Sequence, residues 1–398
     1  MYETVTVAEL RRRTPARQEI TSSMQSEPQD SAAPGPRLQH PFFGRRRTRR
    51  PRPVAVEHGA GQLLRRGLAI GVDIGGTKVA AGVVDLHGNI IAEARESTPG
   101  HDPREVENVI VRLVRELAPR HRIRSIGIGA AGWMDLANGT VLFSPHLAWR
   151  NEPLRDNLEI LLRRRVSVVN DADAAAWAEW RFGTGRGEPR LVCITLGTGI
   201  GGAMIMDGRV ERGRHGVAGE FGHQIIVPGG HRCECGNRGC WEQYASGNAL
   251  GREARELATS NSPVAQALLR EVDGDPSRIT GAVVTRLALQ GDPACRELVD
   301  DVGQWLGVGL ANLAAALDPG TFVIGGGLGA AGNLLIDPAR RAFERNLTGR
   351  GFRPTAVVTA AALGPEAGLI GAADLSRITL RPGHRRGRAV PRAYRGVG

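Results

Sequence analysis

Two stretches of this chain repeat one pattern. LAIGVDIGGTKVAAGVVD (residues 68–85) and LVCITLGTGIGGAMIMDGRV (residues 191–210) each run as an apolar strand, a glycine turn and a second apolar strand. Each then meets a hairpin signal, His87-Gly88 in the first and Asp207-Gly208 in the second. Further apolar strands and helical patterns follow each unit, so the chain is constrained to two related α/β halves with mixed sheets. Ligands of α/β folds collect in the crevice beyond the strand ends, which places the expected site in a cleft between the halves.

Asp102 followed by Pro103 opens a helix that runs to about Ala118, with the aspartate as N-cap and the proline at the first helical position. IRSIGIGAAGWMD is a strand entering a glycine-rich loop at Gly129–Gly132, and VSVVN is a strand that ends at Asn170-Asp171 and opens the helix ADAAAWAEWRFG. Helices are expected over 247–258, 277–289, 293–317 and 334–347, with strands at TFVIG and 356–359. We expect a small α/β domain over 68–172, a larger one over 173–365, and a helix over 366–377 that returns to the first, because its apolar face must be buried somewhere.

The net charge of +11 suggests nucleic acid until it is located. Residues 1–66 hold thirteen arginines against six acids and residues 381–398 hold six arginines and no acid, so the segment between them is slightly acidic. Both tails are expected to be disordered basic extensions, since they are rich in Pro and Arg and lack a sustained apolar period. No specific nucleic-acid partner is expected of the folded body. Without an apolar run of about 20 residues or a signal-like segment, no membrane is expected and the compartment is expected to be the cytoplasm.

Three of the five cysteines, Cys233, Cys235 and Cys240, fall within eight residues, with His223 upstream. Three thiolates and an imidazole are a donor set that structural zinc prefers, and Gly236 and Gly239 let a short knuckle wrap round an ion. Four protein ligands close such a site, so the metal is expected to be structural. Glu220 and Glu242 flank the ligands, and one ion would fix both carboxylates in space. Cys193 and Cys295 lie in apolar strand-like and helical runs and are expected to be inert. Each glycine turn alone is first of all a hairpin. Two in matching positions, with Gly325-Gly326-Gly327 as a third, suggest backbone N–H groups gathered round the phosphates of one nucleotide. Asn170-Asp171 reads as a helix N-cap pair or as a carboxylate at the mouth of a sheet, placed to take a proton from an attacking hydroxyl.

DIGGTK at 73–78, ND at 170–171, LGTGIGG at 196–202, GEFGH at 219–223 and CxCGxxGCWE at 233–242 together resemble the ROK family of sugar kinases and repressors, most strongly its actinobacterial ATP-dependent glucokinases. The resemblance covers about residues 68–377. It implies a two-domain actin-like (ribonuclease H-like) ATPase fold with an interdomain cleft, and ATP-dependent phosphorylation of glucose at the 6-hydroxyl. Asp171 would be the catalytic base. Gly132, Asn170, Glu220, His223 and Glu242 would join it in binding the sugar. Asp73 would hold Mg2+ through water, and ATP would lie against Gly75, Gly76, Thr77, Lys78, Gly197, Thr198 and Gly199, with Gly325, Gly326 and Gly327 near the nucleoside. His223, Cys233, Cys235 and Cys240 would bind structural Zn2+. A homodimer or homotetramer is implied as well.

Three positions depart from the family pattern: Asp173 where NDAN has asparagine, His146 where asparagine is common, and Val169 for a frequent glutamate. They bear on sugar preference, since each changes the hydrogen bonds offered to a hydroxyl. Alternatives are the same chemistry on N-acetylglucosamine, N-acetylmannosamine or fructose, and a sugar-sensing transcriptional repressor. A repressor needs a winged-helix domain, for which residues 1–66 have neither the apolar content nor the paired helices.

Overall fold

A computed structural model of the chain describes residues 67–99, 102–137, 139–144, 147–260 and 262–380. The expected disorder of both tails and the departure at His146 lie outside the described residues.

The first half opens with a meander of Leu68–Ile74 (β1), Lys78–Val84 (β2) and Ile90–Ser97 (β3), followed by the helix Pro103–Leu117 (α1) and the strand Ile123–Ala130 (β4). Three short strands, Trp133–Met134 (β5), Val141–Phe143 (β6) and Arg150–Glu152 (β7), form a small antiparallel sheet. Leu154–Leu162 (α2), Ser167–Asn170 (β8) and Asp171–Arg181 (α3) complete this half. The second half holds Arg190–Leu196 (β9), Ile200–Met206 (β10) and Arg209–Glu211 (β11), then Glu242–Ala245 (α4), Gly247–Thr259 (α5), Gln266–Glu271 (α6), Gly281–Gln290 (α7) and Pro293–Leu317 (α8). Thr321–Gly325 (β12), Asn333–Asn346 (α9), Val357–Ala360 (β13) and Ala367–Thr379 (α10) follow.

The two main sheets have one topology. Their orders are β3-β2-β1-β4-β8 and β11-β10-β9-β12-β13. In each, the first three strands are antiparallel and the last two run parallel to the first strand of the half. β2 is buried along nearly its whole length because helices cover both faces of the sheet, whereas the edge strand β3 alternates between half-buried and exposed.

What seats α10 on the first sheet is a row of glycines in register. Gly82, Gly71 and Gly127 are cross-strand neighbours on β2, β1 and β4. A Cβ on Gly71 would stand 1.9 Å from the carbonyl oxygen of Leu369, and one on Gly127 would stand 1.9 Å from that of Ala372. The backbone of α10 therefore lies directly on the sheet. Gly371, whose Cβ would meet the Ala174 carbonyl at 1.7 Å, brings α3 equally close on the other side.

One expected helix starts later than its pattern. Over 277–289 the helix begins at Gly281, because Pro276–Arg278 is a separate 3-10 turn under Asp275 and Thr280 caps α7 by accepting from the Val283 amide. No expectation covered β5–β7 or α6.

The chain crosses between the main sheets at 182–189 and again at 361–366, and one buried carboxylate holds both crossings. Glu179, 1% exposed, accepts from the amides of Thr184 (3.0 Å), Ala362 (3.1 Å) and Leu363 (2.8 Å). An unsatisfied buried donor costs about 1–3 kcal/mol, so Glu179→Ala is expected to destabilise the fold by at least about 3 kcal/mol. A thermal scan should show the midpoint fall by roughly 5–10 °C. An unchanged midpoint would mean that water replaces the carboxylate.

Candidate functional site

Between the two main sheets lies a cleft of about 380 Å³. The first half contributes Gly75 and Gly76 from the β1–β2 turn, Gly132 from the β4–β5 loop, Trp133 and Phe143 from the small sheet, and Asn170 and Asp171 where β8 becomes α3. The second half contributes Gly197, Thr198 and Gly199 from the β9–β10 turn, with Glu220, His223, Cys235, Glu242 and Gly326.

Each wall is held by local bonding. Asn170 does two jobs: its side-chain oxygen caps α3 by accepting from the Asp173 amide at 3.0 Å, and its Nδ2 donates to the Gly132 carbonyl at 3.1 Å. Gly132 has φ +126°, and a Cβ there would stand 2.5 Å from the Phe143 carbonyl. Asp171 is the first residue of α3, and its Oδ1 accepts from the Ala172 amide at 2.9 Å. On the opposite wall the carbonyls of Gly197 and Thr198 accept from Gly247 (2.9 Å) and Asn248 (3.2 Å) at the start of α5, which ties the glycine turn to a helix N-terminus.

The cleft concentrates carboxylates. Burial pushes Asp73 up to about 7, with the Asp171 charge adding to the shift and Lys78 opposing it. Asp73 stands behind the wall, close enough to α10 that a Cβ on Gly368 would come within 2.9 Å of its carboxyl. Burial also raises Glu220, against the pull of His223 and of a hydrogen bond from Trp133. Thr77, Lys78, Gly325 and Gly327, also expected at the nucleotide, are not among the wall residues.

Two of the departures from the family pattern stand behind the cleft wall. Asp173 is buried with its Oδ2 3.1 Å from Arg212 Nε, and Val169 packs in the core with Ala174 and Trp177. Neither is among the residues that line the cleft. Trp133, by contrast, was not expected there. Its ring lies 5.6 Å from that of Phe143 and edge-on to His223 at 6.5 Å, and it bonds Glu220. The sequence signal was an aromatic side chain directly after the glycine of the loop.

His223, Cys233, Cys235 and Cys240 converge, with all four donor atoms within 4.8 Å of one another. The Cys235–Cys240 sulfurs are 3.6 Å apart, and Cys233 Sγ is 3.6 Å from His223 Nδ1. Ligands at about 2.3 Å (sulfur) and 2.0–2.1 Å (nitrogen) on a tetrahedral ion stand about 3.6–3.8 Å apart, so the donor set fits zinc in type and spacing. Gly236 (φ +96°) and Gly239 (φ +79°) make the tight knuckle, and a Cβ on Gly239 would strike the Val227 carbonyl at 1.7 Å. Burial pushes the Cys233 and Cys240 thiols up, a cost that a bound cation reverses because thiolate is the ligand. His223 turns Nδ1 to the sulfurs and Nε2 towards Glu220, 3.9 Å away. Glu242 bridges outward: Oε1 is 3.0 Å from Cys233 Sγ, and Oε2 accepts from the Ile200 amide at 3.4 Å beside the glycine turn. Cys193 and Cys295 are buried elsewhere, and burial pushes each thiol up to about 12.

The model of the ROK family matches residues 69–378. A glucokinase of Streptomyces coelicolor is 47% identical over 311 residues, 78% of this chain and 98% of that protein. Among solved structures, a ROK family glucokinase from Streptomyces griseus in complex with glucose and AMPPNP is similar with a TM-score of 0.74 at 48% identity, covering 78% of this chain and 100% of that one. A ROK hexokinase from Thermus thermophilus is similar with a TM-score of 0.63 at 34% identity, over 78% of this chain and 98% of that one.

Proposed function

The chain belongs to the ROK family and is an enzyme of the glucokinase kind, and on that premise we propose that it transfers the γ-phosphoryl group of ATP to the 6-hydroxyl of glucose with Asp171 as general base. The observation that carries this reading is the single cleft in which Asp171 faces glycine turns from both halves and a set of polar side chains from the metal knuckle.

Phosphoryl transfer asks a protein mainly for positioning and charge stabilisation. Asp171 accepts the proton of the sugar 6-hydroxyl as that oxygen forms its bond to the γ-phosphorus. The bond from γ-phosphorus to the bridging oxygen breaks, and ADP leaves with that oxygen. Asn170, Glu220, His223 through Nε2, Glu242 and the backbone of Gly132 hold the sugar hydroxyls, and Trp133 closes that side against water. The turns at Gly75–Gly76 and Gly197–Gly199 take the phosphates, with Gly326 towards the nucleoside. Mg2+, when bound, neutralises phosphate charge, and the Asp73 carboxyl fits a role in holding it, being buried near a second carboxylate with only Lys78 opposing. Zinc, held by His223, Cys233, Cys235 and Cys240, supplies rigidity and no reacting ligand.

ADP release from Mg-ATP against a panel of hexoses tests the reading. Glucose is expected to give the highest kcat/KM, ahead of N-acetylglucosamine, N-acetylmannosamine and fructose; absence of turnover on every hexose would sink it. Gly326 offers a check on the nucleotide side. It has φ +84°, and a Cβ would stand 2.4 Å from the Leu196 carbonyl. Gly326→Ala must displace the loop, and KM for ATP is expected to rise about tenfold with KM for glucose little changed, as about 1.4 kcal/mol of lost binding implies. Equal KM values for ATP in parent and variant would place the nucleoside elsewhere. No helix among the described residues is long and apolar enough to cross a membrane. Homodimer or homotetramer assembly remains part of the proposal, and light scattering measures it.

A further inference from the structure

Arg212 follows β11 directly, and its side chain is 13% exposed. Three segments converge on its guanidinium. Nε lies 3.1 Å from Asp173 Oδ2 in the first turn of α3. Nη1 donates to the Asp135 carbonyl at 3.4 Å, just past β5, and Nη2 donates to the Gly216 carbonyl at 2.8 Å, in the turn that leads to Glu220. Asp171 lies two residues before Asp173, Gly132 three before Asp135, and Glu220 four after Gly216. Each segment that Arg212 grips thus carries a residue placed on the sugar side of the cleft, and none carries the glycine turns on the phosphate side. Gly216 adds to the convergence, since a Cβ there would stand 3.1 Å from the Leu136 backbone.

We infer that Arg212 is a positioning residue for the sugar site: neutralised by Asp173, its guanidinium clasps the three segments that present the base and the sugar partners. This inference rests on the glucokinase reading above. The planar, multiply donating guanidinium suits the task, because a lysine is a point charge and cannot grip three acceptors in fixed directions. Asp173 thereby gains a function that asparagine would not serve in the same way. Removing one member of a buried pair strands the other charge, whereas removing both strands neither. The order of effects among single and double variants is therefore set by the pairing.

The test is steady-state kinetics on Arg212→Met, Asp173→Asn and the double variant, with calorimetric glucose binding on the same full-length preparations. Arg212→Met is expected to raise KM for glucose at least tenfold and to change KM for ATP less than twofold. The double variant relieves the charge stranded on Asp173 but not the lost grip on the Asp135 and Gly216 carbonyls, so its KM for glucose should stay well above that of the parent. Arg341→Met, which breaks an exposed pair with Asp300 between α9 and α8, should leave both KM values unchanged. Should Arg212→Met fail to fold, Arg212→Lys carries the test, with KM for glucose expected to rise at least threefold. Wild-type KM for glucose in the Arg212 variant that folds, or equal losses for ATP and glucose, would each overturn the inference. If the parent protein turns over no glucose, the functional premise has failed, and tenfold weaker glucose binding in Arg212→Met still decides the role of Arg212.

Discussion

Asp171→Asn is expected to lower kcat on glucose by roughly a thousandfold while glucose affinity stays within about threefold. General bases contribute about 10²–10⁴-fold, and an amide cannot take the proton. The substitution is otherwise gentle. Asparagine keeps the shape of the side chain and an oxygen that can accept from the Ala172 amide, the bond that Asp171 Oδ1 makes now. ADP release gives kcat, and calorimetry gives glucose affinity independently of turnover. A variant that kept a tenth of the parent rate would show that Asp171 only orients the sugar, and loss of binding in step with turnover would make it a sugar ligand first. A second consequence follows by linkage. The Asp171 charge is one cause of the raised Asp73, whose folded-state value of about 7 stands above its ordinary value of 3.8. A raised carboxyl adds stability at low pH that is lost as pH rises through the folded value. Removing the Asp171 charge lowers that value, so without nucleotide the variant should melt above the parent at pH 8, with the gap narrowing by pH 5.

The two related halves were legible because burial is written into composition: strands covered on both faces are continuous apolar runs, as in β1, β2 and β9. The seat of α10 was not, because Gly82, Gly71 and Gly127 come together only through strand register, and no local signal aligns them. The small sheet escaped for another reason, since strands of two or three residues have no period to read. At the site, the cysteine spacing foretold a convergence of donor atoms because the four residues are close in sequence and the glycines leave few ways to fold between them. Asp173 shows the opposite case. Its sequence neighbours suggested a direct hydrogen bond to the sugar, whereas its carboxylate turns to an arginine thirty-nine positions later, a pairing set by the tertiary fold.

Removing the zinc proposed for His223, Cys233, Cys235 and Cys240 is expected to disable the sugar side of the cleft first. The tip of the knuckle has few bonds of its own, Cys233 N to Asn237 O at 2.9 Å and Gly236 N to Cys233 O at 3.0 Å, whereas its far end is anchored, Gly239 donating to the His231 carbonyl at 2.8 Å and accepting from the Ile226 amide at 2.9 Å. Without a cation the thiols take up protons, which burial favours, and His223 Nδ1 loses the partner that fixes its ring. Nε2 then no longer keeps the orientation proposed for binding the sugar, and Glu242, in contact with both Cys233 and His223, is expected to move as well. Cys235→Ser, at the ligand that also lines the cleft, should bind substoichiometric zinc, raise KM for glucose at least thirtyfold and lower the melting midpoint by several degrees. Because Oε2 of Glu242 reaches the Ile200 amide, KM for ATP should rise too, but by less. Chelated parent protein should behave alike and recover with Zn2+. Reloading with Co2+ should add the visible absorption of a tetrahedral thiolate site, a readout that needs no turnover. Chelated protein with less than a tenth of an equivalent of metal and an unchanged KM for glucose would show that the four donors hold nothing the sugar needs. The carboxylates of Glu220 and Glu242 would then have to be positioned by packing alone.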